Sequence, residues 1–324
     1  MHIRRSLVGW ASLCLALVIP HSWAGQVMHH TFESEVLDRK YPYNLYLPDG
    51  YATSDQSYPV IYLLHGSFGS EYDWASRGGL RKTMDRLIAE DAIPPAIVVM
   101  PGSQSWWVDG YNEQGETAFI EDLIPHVDQT WRTIARREGR LIGGLSAGGY
   151  GTVNFIFQYP QLFGAAAALS PAAYSPQPPA NSSGRRHPAF LGPDGTYDEA
   201  MWRRLNYEQY LEGYKAQDQV VPLYISTGDQ DVFDIASHAA TLYQRLHDYQ
   251  PEQVKYRVVP GGHQWRVWRS ELPVALEYMF DHLDTTPVIQ EGEASSLGAV
   301  IDVLPVSNQW RNVANGGKFS FSGG

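Results

Sequence analysis

The chain has 324 residues, 44% of them hydrophobic, and a formal net charge of −11 at pH 7. This length is enough for one large domain with an extensive buried core and too short for two domains of ordinary size. A net acidic surface disfavours nucleic acid and anionic membranes as partners.

The first 24 residues have the pattern of a secretory signal peptide. A basic start is followed by a short apolar run over residues 6–20 and by small residues up to Ala24. We expect cleavage after Ala24 and export, either to the periplasm or out of the cell. The apolar run is shorter than the ~20 residues of a spanning helix, and no later segment approaches that length, so no membrane span is expected. The single cysteine, Cys14, lies inside this signal, so no disulfide is expected either.

Short apolar or β-branched runs alternate with longer segments of helical period from residue 27 to residue 282. This alternation predicts an α/β fold with a mostly parallel sheet of eight strands and helices on both of its faces. The first two strands have no helix between them, so we expect them to pair antiparallel at one edge. The predicted strands cover residues 27–37, 43–47, 60–64, 96–100, 141–144, 165–169, 223–226 and 256–259, and the predicted helices cover residues 80–90, 118–131, 149–157, 199–211, 235–249 and 265–282.

Two regions interrupt this alternation. Residues 171–197 are rich in Pro, Gly, Ser and Ala and follow a strand at the carboxyl edge of the sheet, where inserted segments form lids and substrate walls. We therefore predict a lid-like insertion within a single catalytic domain over residues 25–284. Residues 285–324 are polar and continue no pattern, which leaves two interpretations open, a disordered tail and a strap on the surface.

The segment Gly144-Leu-Ser-Ala-Gly148 is a G-x-S-x-G motif between an apolar strand and a predicted helix. The motif alone would also fit a glycine-rich turn, and its position after a strand favours a nucleophile elbow. In such an elbow the small neighbours let Ser146 adopt a strained backbone conformation and expose its hydroxyl. The helix start offers backbone N–H groups to a developing oxyanion, and the Ala147 amide is the first expected donor.

A nucleophilic serine needs a base, and the base needs an orienting acid. In α/β-hydrolases the chain order is serine, acid, histidine. His263 follows two glycines after the last predicted strand and precedes the final helix, so we predict it as the base. Asp229, Asp231 and Asp234 follow an earlier strand, and all three are candidates for the acid.

Residues 63–69 end a core strand in a glycine turn. In α/β-hydrolases an N–H from this region completes the oxyanion hole, so we predict the Ser67 amide as the second donor, although a plain glycine turn would look the same. His65 is expected to brace this loop. For His187, in the lid-like segment, the preferred interpretation is a solvated loop histidine, and contact with substrate is the alternative.

Aromatic residues crowd the loops that should surround the site. Such residues suit an aryl or sugar-linked acyl substrate, although packing onto the core explains many of them. Among them we predict Trp106, Trp107 and Trp265 as substrate-binding residues. The sequence contains no H-E-x-x-H motif, cysteine cluster or P-loop, so neither a metal nor a nucleotide cofactor is predicted.

Six motifs together resemble the esterase family that includes esterase D (S-formylglutathione hydrolase), feruloyl esterases, enterochelin esterases and the antigen 85 mycolyltransferases. The resemblance covers roughly residues 30–282. It implies the α/β-hydrolase fold, a serine acyl-enzyme mechanism without a cofactor, and a triad of Ser146, Asp231 and His263, with Asp231 favoured by its spacing from Gly228. The motifs are Tyr62-Leu-Leu-His-Gly66, Ser105-Trp-Trp-Val-Asp109, Glu121-Asp-Leu-Ile-Pro-His126, Gly144-Leu-Ser-Ala-Gly-Gly149, Gly228-Asp-Gln-Asp231 and Gly262-His-Gln-Trp265.

Within this family the export pattern argues against the cytosolic formylglutathione branch. The leading hypothesis is an exported serine carboxylesterase that cleaves feruloyl- or acetyl-type esters of carbohydrate. Two alternatives stay open, an exported acyltransferase that acts on a surface glycan and a hydrolase-fold protein that binds without turnover. The sequence leaves the acyl group, the alcohol and the oligomeric state undetermined.

Overall fold

The computed structural model describes residues 24–283. The predicted tail, and the predicted signal peptide apart from Ala24, lie outside the described residues, and the domain boundary predicted at residue 284 stays a prediction. None of the helices between residues 24 and 283 combines the length and the hydrophobicity needed to cross a bilayer.

Eight strands form one sheet at the centre of the described residues. They are β1 Gln26–Ser34, β2 Arg39–Leu47, β3 Val60–Leu64, β4 Ile97–Pro101, β5 Arg140–Leu145, β6 Ala165–Leu169, β7 Leu223–Gly228 and β8 Val254–Val259. Their order is β1-β2-β4-β3-β5-β6-β7-β8. The β1–β2 and β2–β4 pairs are antiparallel, and the other five pairs are parallel.

Helices cover both faces of this sheet. They are α1 Asp73–Ser76, α2 Leu80–Ala89, α3 Gly115–Thr117, α4 Ile124–Thr130, α5 Ala147–Gln158, α6 Glu199–Arg204, α7 Leu211–Lys215, α8 Ile235–His247 and α9 Trp265–Asp281, with the π-helical segment Ala118–Leu123 between α3 and α4. Side chains alternate across a strand, so Tyr62 belongs to the hydrophobic cluster on one face, which includes residues of α4, α5 and α8, while Leu63 belongs to the cluster on the other face, which includes residues of α2 and α9. The predicted α/β-hydrolase fold, with its mostly parallel sheet and antiparallel edge pair, is confirmed.

Several predicted elements were wrong in extent; β2, for example, begins at Arg39, four residues before its predicted start at residue 43. The first strand was predicted to reach residue 37, but β1 ends at Ser34 because the next four residues form the hairpin turn, in which Asp38 has a φ of 49°. The helix predicted over residues 199–211 ends as α6 at Arg204, and α7 begins only at Leu211, after the 3₁₀ turn Tyr207–Gln209. The Leu205 carbonyl accepts hydrogen bonds from Tyr150 Oη and Asn154 Nδ2 of α5, and the following Asn206 is extended, with a ψ of 146°. Hydrogen-bond donors from α5 thus fix the point at which the helix ends.

Candidate active site

Ser146 lies at the tip of the turn between β5 and α5, with a φ of 54° and a ψ of −115°. The turn is tight enough to require glycine on both sides of the serine. A Cβ added at Gly144 would lie 2.5 Å from the carbonyl carbon of Gly148, and one added at Gly148 would lie 2.4 Å from the Leu64 carbonyl oxygen. The Ser146 amide donates to the Leu169 carbonyl at 3.0 Å, which helps to hold this strained conformation.

Ser146, His263 and Asp231 form a continuous chain of hydrogen bonds. His263 Nε2 lies 2.9 Å from Ser146 Oγ, and His263 Nδ1 lies 2.7 Å from Asp231 Oδ2. Because a carboxylate can only accept, a neutral His263 carries its proton on Nδ1, and Nε2 is left to accept from the serine hydroxyl. The Asp231 side chain is 0% exposed and that of His263 is 13% exposed. The structure therefore brings together the three residues predicted as nucleophile, base and acid.

The other two acid candidates have different partners. Asp229 Oδ1 accepts from the Gly261 amide at 2.8 Å. Asp234 precedes α8 and accepts from the Ser237 hydroxyl at 2.8 Å. Of the three aspartates in this loop, Asp231 is the one that contacts His263. Asp229 instead ties the end of β7 to the loop that leads to the histidine.

The turn after β3 lies directly beside Ser146. A Cβ added at Gly66 would lie 3.4 Å from Ser146 Cβ, and Ser67 lines the same cavity as Ser146. The Gly69 amide donates to the Gly66 carbonyl at 3.0 Å, so Ser67 is the second residue of a closed turn. Across from it, the Ala147 amide is in the first turn of α5 and has no acceptor within the helix. Both predicted oxyanion donors thus belong to segments that flank the serine.

His65 holds the turn after β3 in place. The Ser103 amide donates to His65 Nε2 at 3.1 Å, so this nitrogen carries no proton. The proton is on Nδ1, which donates to the Gly66 carbonyl at 2.7 Å. Burial lowers the pKa of His65 and so keeps the ring neutral. His65 therefore braces the turn through a fixed tautomer.

The Esterase family matches residues 34–279 of this chain. The chain belongs to the Esterase family. It is a serine hydrolase of the α/β-hydrolase fold.

Similar proteins include named feruloyl esterases. The endo-1,4-β-xylanase/feruloyl esterase of Xylanibacter ruminicola is 35% identical over 163 residues, which are 47% of this chain and 22% of that protein. Esterase Rv1288 of Mycobacterium tuberculosis is 31% identical over 154 residues, 45% of this chain and 32% of that protein. The match thus spans a third or less of the length of both relatives. A solved ferulic acid esterase structure is 27% identical with a TM-score of 0.70, covering 81% of this chain and 100% of that chain.

The three tryptophans predicted to bind substrate occupy different positions in this esterase. Trp106 and Trp265 line the cavity around Ser146. Trp107 is 1% exposed and donates from Nε1 to the His65 carbonyl at 3.1 Å, so it lies in the core below the site. Trp106 and Trp107 have φ values of 60° and 66°. These two unusual conformations direct Trp106 to the cavity, where its Nε1 donates to Ser67 Oγ at 2.8 Å, and Trp107 inward.

An open cavity of about 400 Å³ surrounds Ser146 and His263. Its walls come from the turn after β3, the lid-like segment and the start of α9. Phe68, in the first of these walls, is 68% exposed and has a φ of 56°. The cavity is lined by Gly66, Ser67, Phe68, Asp73, Arg77, Trp106, Leu145, Ser146, Tyr174, Ser182, Ser183, Arg186, Phe233, His263, Gln264, Trp265 and Trp268.

His187 is buried, with 4% of its surface exposed, so the interpretation as a solvated loop residue was wrong. Its Nδ1 accepts from the Ala189 amide at 3.3 Å. Its ring packs against Phe68 at 5.1 Å and Trp106 at 5.9 Å between centroids. His187 therefore supports the lid-like segment against the cavity wall from behind.

Replacing His187 with asparagine should make this esterase less sensitive to acid. Burial lowers the pKa of His187 to about 4, whereas an unfolded histidine titrates near 6.5. Between these values the unfolded chain takes up the proton and the folded chain does not, so stability falls as the pH falls from about 6.5 to about 4. Asparagine supplies an acceptor for the Ala189 amide and does not titrate. Urea unfolding at pH 7 and pH 4.5 should show that the wild type loses about 1–3 kcal/mol more than His187→Asn. Equal losses of stability in the two proteins would contradict a lowered pKa of His187 in the folded chain.

Proposed function

We propose that this chain is an exported serine carboxylesterase that cleaves feruloyl- or acetyl-type esters of carbohydrate through an acyl-enzyme on Ser146. The observation that carries the proposal is the hydrogen-bonded chain from Ser146 through His263 to Asp231 in an aromatic-lined cavity. The Xylanibacter ruminicola relative is named as a feruloyl esterase and the solved structure as a ferulic acid esterase, and these names support a feruloyl-type acyl group.

In the first half of the proposed reaction, Ser146 Oγ attacks the ester carbonyl carbon while His263 Nε2 takes the hydroxyl proton. The carbonyl oxygen becomes an oxyanion, which accepts hydrogen bonds from the amides of Ala147 and Ser67. As the oxyanion collapses, the bond from the carbonyl carbon to the alcohol oxygen breaks. His263 gives its proton to the departing alcohol, and the acyl group stays on Ser146.

In the second half, water attacks the acyl carbon and His263 takes its proton. The ester bond to Ser146 then breaks, the serine regains its proton from His263, and the carboxylic acid leaves. Asp231 accepts the hydrogen bond from His263 Nδ1 and stabilises the imidazolium that forms in each half. Its complete burial and its second hydrogen bond, from the Phe233 amide at 3.0 Å, hold the carboxylate in one orientation.

The walls of the cavity support an acyl or alcohol group with a planar, apolar face. Trp265 and Phe233 contribute partly exposed faces of this kind, whereas Trp106 and Tyr174 reach the cavity only with their edges, being 3% and 2% exposed. Phe68 adds an aromatic ring that is held into solvent by a left-handed backbone, a conformation that costs roughly 1–3 kcal/mol. A phenolic acyl group or a sugar ring would stack on these surfaces, whereas an acetyl group would leave most of the cavity to the alcohol.

Export is the part of the proposal that rests on residues 1–24. One contact supports cleavage after Ala24. The Gly25 amide nitrogen lies 2.9 Å from Asp85 Oδ1, which also accepts from the Tyr46 hydroxyl at 2.8 Å. Cleavage there would turn the amide into an ammonium group beside a carboxylate, a stronger interaction. The intact mass of the protein, recovered after export from an expression host, should match a chain that begins at Gly25.

The test of the activity combines active-site labelling with turnover. Wild-type protein and Ser146→Ala are exposed to a fluorophosphonate and weighed intact, then assayed with methyl ferulate, 4-nitrophenyl acetate and 4-nitrophenyl octanoate. We expect one adduct on the wild type and none on the variant, with hydrolysis of the feruloyl or acetyl ester. Absence of an adduct on folded wild type would overturn the proposed nucleophile. Labelling without hydrolysis, together with acyl transfer to an added sugar, would favour the acyltransferase alternative.

A further inference from the structure

The cavity around Ser146 carries two arginines in its wall. Arg77 follows α1, Arg186 belongs to the lid-like segment, and both are exposed. Among the described residues that line the cavity, Asp73 is the one acid; it is 18% exposed on its side chain and lies 4.0 Å from Arg77. The charged side chains on the cavity wall are thus two arginines and one acid, while the Asp231 carboxylate lies behind His263 with a side chain that is 0% exposed.

Arg186 differs from the arginine beside it in the chain. Arg185 donates from Nε to the Pro178 carbonyl at 2.8 Å, and its guanidinium lies 4.5 Å from the centroid of the Tyr197 ring. Arg186 makes no ion pair and no side-chain hydrogen bond with any residue between 24 and 283. Arg185 therefore anchors the lid-like segment, while the guanidinium of Arg186 is available to a ligand.

Arg77 lies against Trp265, the first residue of α9. Its guanidinium carbon lies 5.3 Å from the centroid of the Trp265 ring. Trp265 is two residues beyond His263, whose Nε2 faces the departing alcohol in the proposed reaction. A guanidinium over an aromatic ring keeps N–H donors for a second partner, and its planar fork matches a carboxylate.

We infer that this cavity selects esters that carry a carboxylate away from the scissile bond. The inference rests on the proposed function and specifies its substrate class. The carboxylate could belong to the alcohol, as in an ester of a uronic acid, or to the acyl group, as in a half-ester of a dicarboxylic acid. In both cases the guanidinium of Arg186 or of Arg77 would bind it.

The expected preference for a charged substrate is modest because the site is open to solvent. Both arginines face solvent, and exposed ion pairs are weak, so each should improve kcat/KM about 2- to 5-fold, mainly through KM. A bidentate contact would bring the combined preference to about 10-fold or more. Because the Debye length shortens with salt, the preference should decline at high ionic strength.

The experiment compares substrates that differ in one charge. On the acyl side, 4-nitrophenyl hemisuccinate is compared with its methyl ester. On the alcohol side, an O-acetylated methyl glucuronoside is compared with the same compound as its uronate methyl ester, with acetate release as the readout. The ratio of kcat/KM for the charged over the neutral partner is measured at low and high NaCl for the wild type, Arg77→Gln, Arg186→Gln and the double variant.

Arg86→Gln is the matched control, because Arg86 loses the same charge on α2, where it pairs with Glu90 at 2.7 Å. We expect a wild-type ratio above one in one of the two substrate pairs, which identifies the side that bears the carboxylate. The double variant should lower that ratio about 10-fold, and Arg86→Gln should keep it. Hydrolysis of both partners at equal kcat/KM, or a double variant with the wild-type ratio, would overturn the inference. Failure to hydrolyse any of the four esters would instead contradict the proposed function.

Discussion

Ser146→Ala and His263→Ala should each lower kcat/KM for the best ester by about 10⁴-fold or more. Alanine at 146 leaves no oxygen to form the acyl-enzyme, and alanine at 263 leaves the serine proton without an acceptor. Since both side chains act in one step, the double variant should lose little more than either single variant. Initial rates with 4-nitrophenyl acetate at several enzyme concentrations would measure the three losses.

Ser237→Ala is the control for this series, because Ser237 is exposed on α8 and bonds to Asp234 rather than to His263. It should keep the wild-type rate. Far-UV circular dichroism and thermal unfolding of all variants would separate lost chemistry from lost folding. More than about 1% residual activity in Ser146→Ala, free of contaminating esterase, would show that another group is the nucleophile.

The elbow could be predicted from sequence because its glycines have a physical requirement. Gly144 and Gly148 approach backbone atoms so closely that any side chain would collide, and this crowding accompanies a strand that ends directly before a helix. The pattern of small residues around Ser146 therefore encodes one local geometry. The positions of His263 and the aspartate loop follow from the strand order, since parallel strands end at the same edge of the sheet.

The walls of the cavity could not be predicted in the same way. Trp106 and Trp107 are neighbours of the same type, and their different surroundings depend on two positive φ values that residue patterns rarely reveal for non-glycine residues. The burial of His187 depends on Phe68 and Trp106, which come from distant segments. Local propensity suggested a solvated loop at this position, and tertiary packing overrode it.

The break between α6 and α7 has the same kind of cause. Residues 199–211 have a helical period, but Tyr150 and Asn154 on α5 bind the Leu205 carbonyl. Sequence periodicity reports the preference of a segment alone and contains no information on donors about fifty residues away. The order of nucleophile, acid and base along the chain could thus be predicted from sequence. The shape of the cavity walls could be read only from the structure.

Asp231→Asn should lower kcat by about 10⁴-fold and leave KM nearly unchanged. Asparagine fits the same space, but its amide can donate to His263 Nδ1, which favours the tautomer that carries the proton on Nε2. That nitrogen then cannot accept the proton of Ser146. The loss would affect the chemical step and not binding, so kcat should account for nearly all of it. Steady-state kinetics with methyl ferulate or 4-nitrophenyl acetate would separate the two constants.

Asp229→Asn is the matched comparison, since the same substitution two residues earlier removes a charge from the same loop. An asparagine oxygen can still accept from the Gly261 amide, the bond that Asp229 makes at 2.8 Å. The loop before His263 should therefore keep its position, and kcat should stay within about 3-fold of the wild type, because a neutral acceptor replaces a charged one. If Asp229→Asn abolished turnover while Asp231→Asn retained it, the acid of the triad would be Asp229, and the 2.7 Å contact between Asp231 and His263 would have only a structural role.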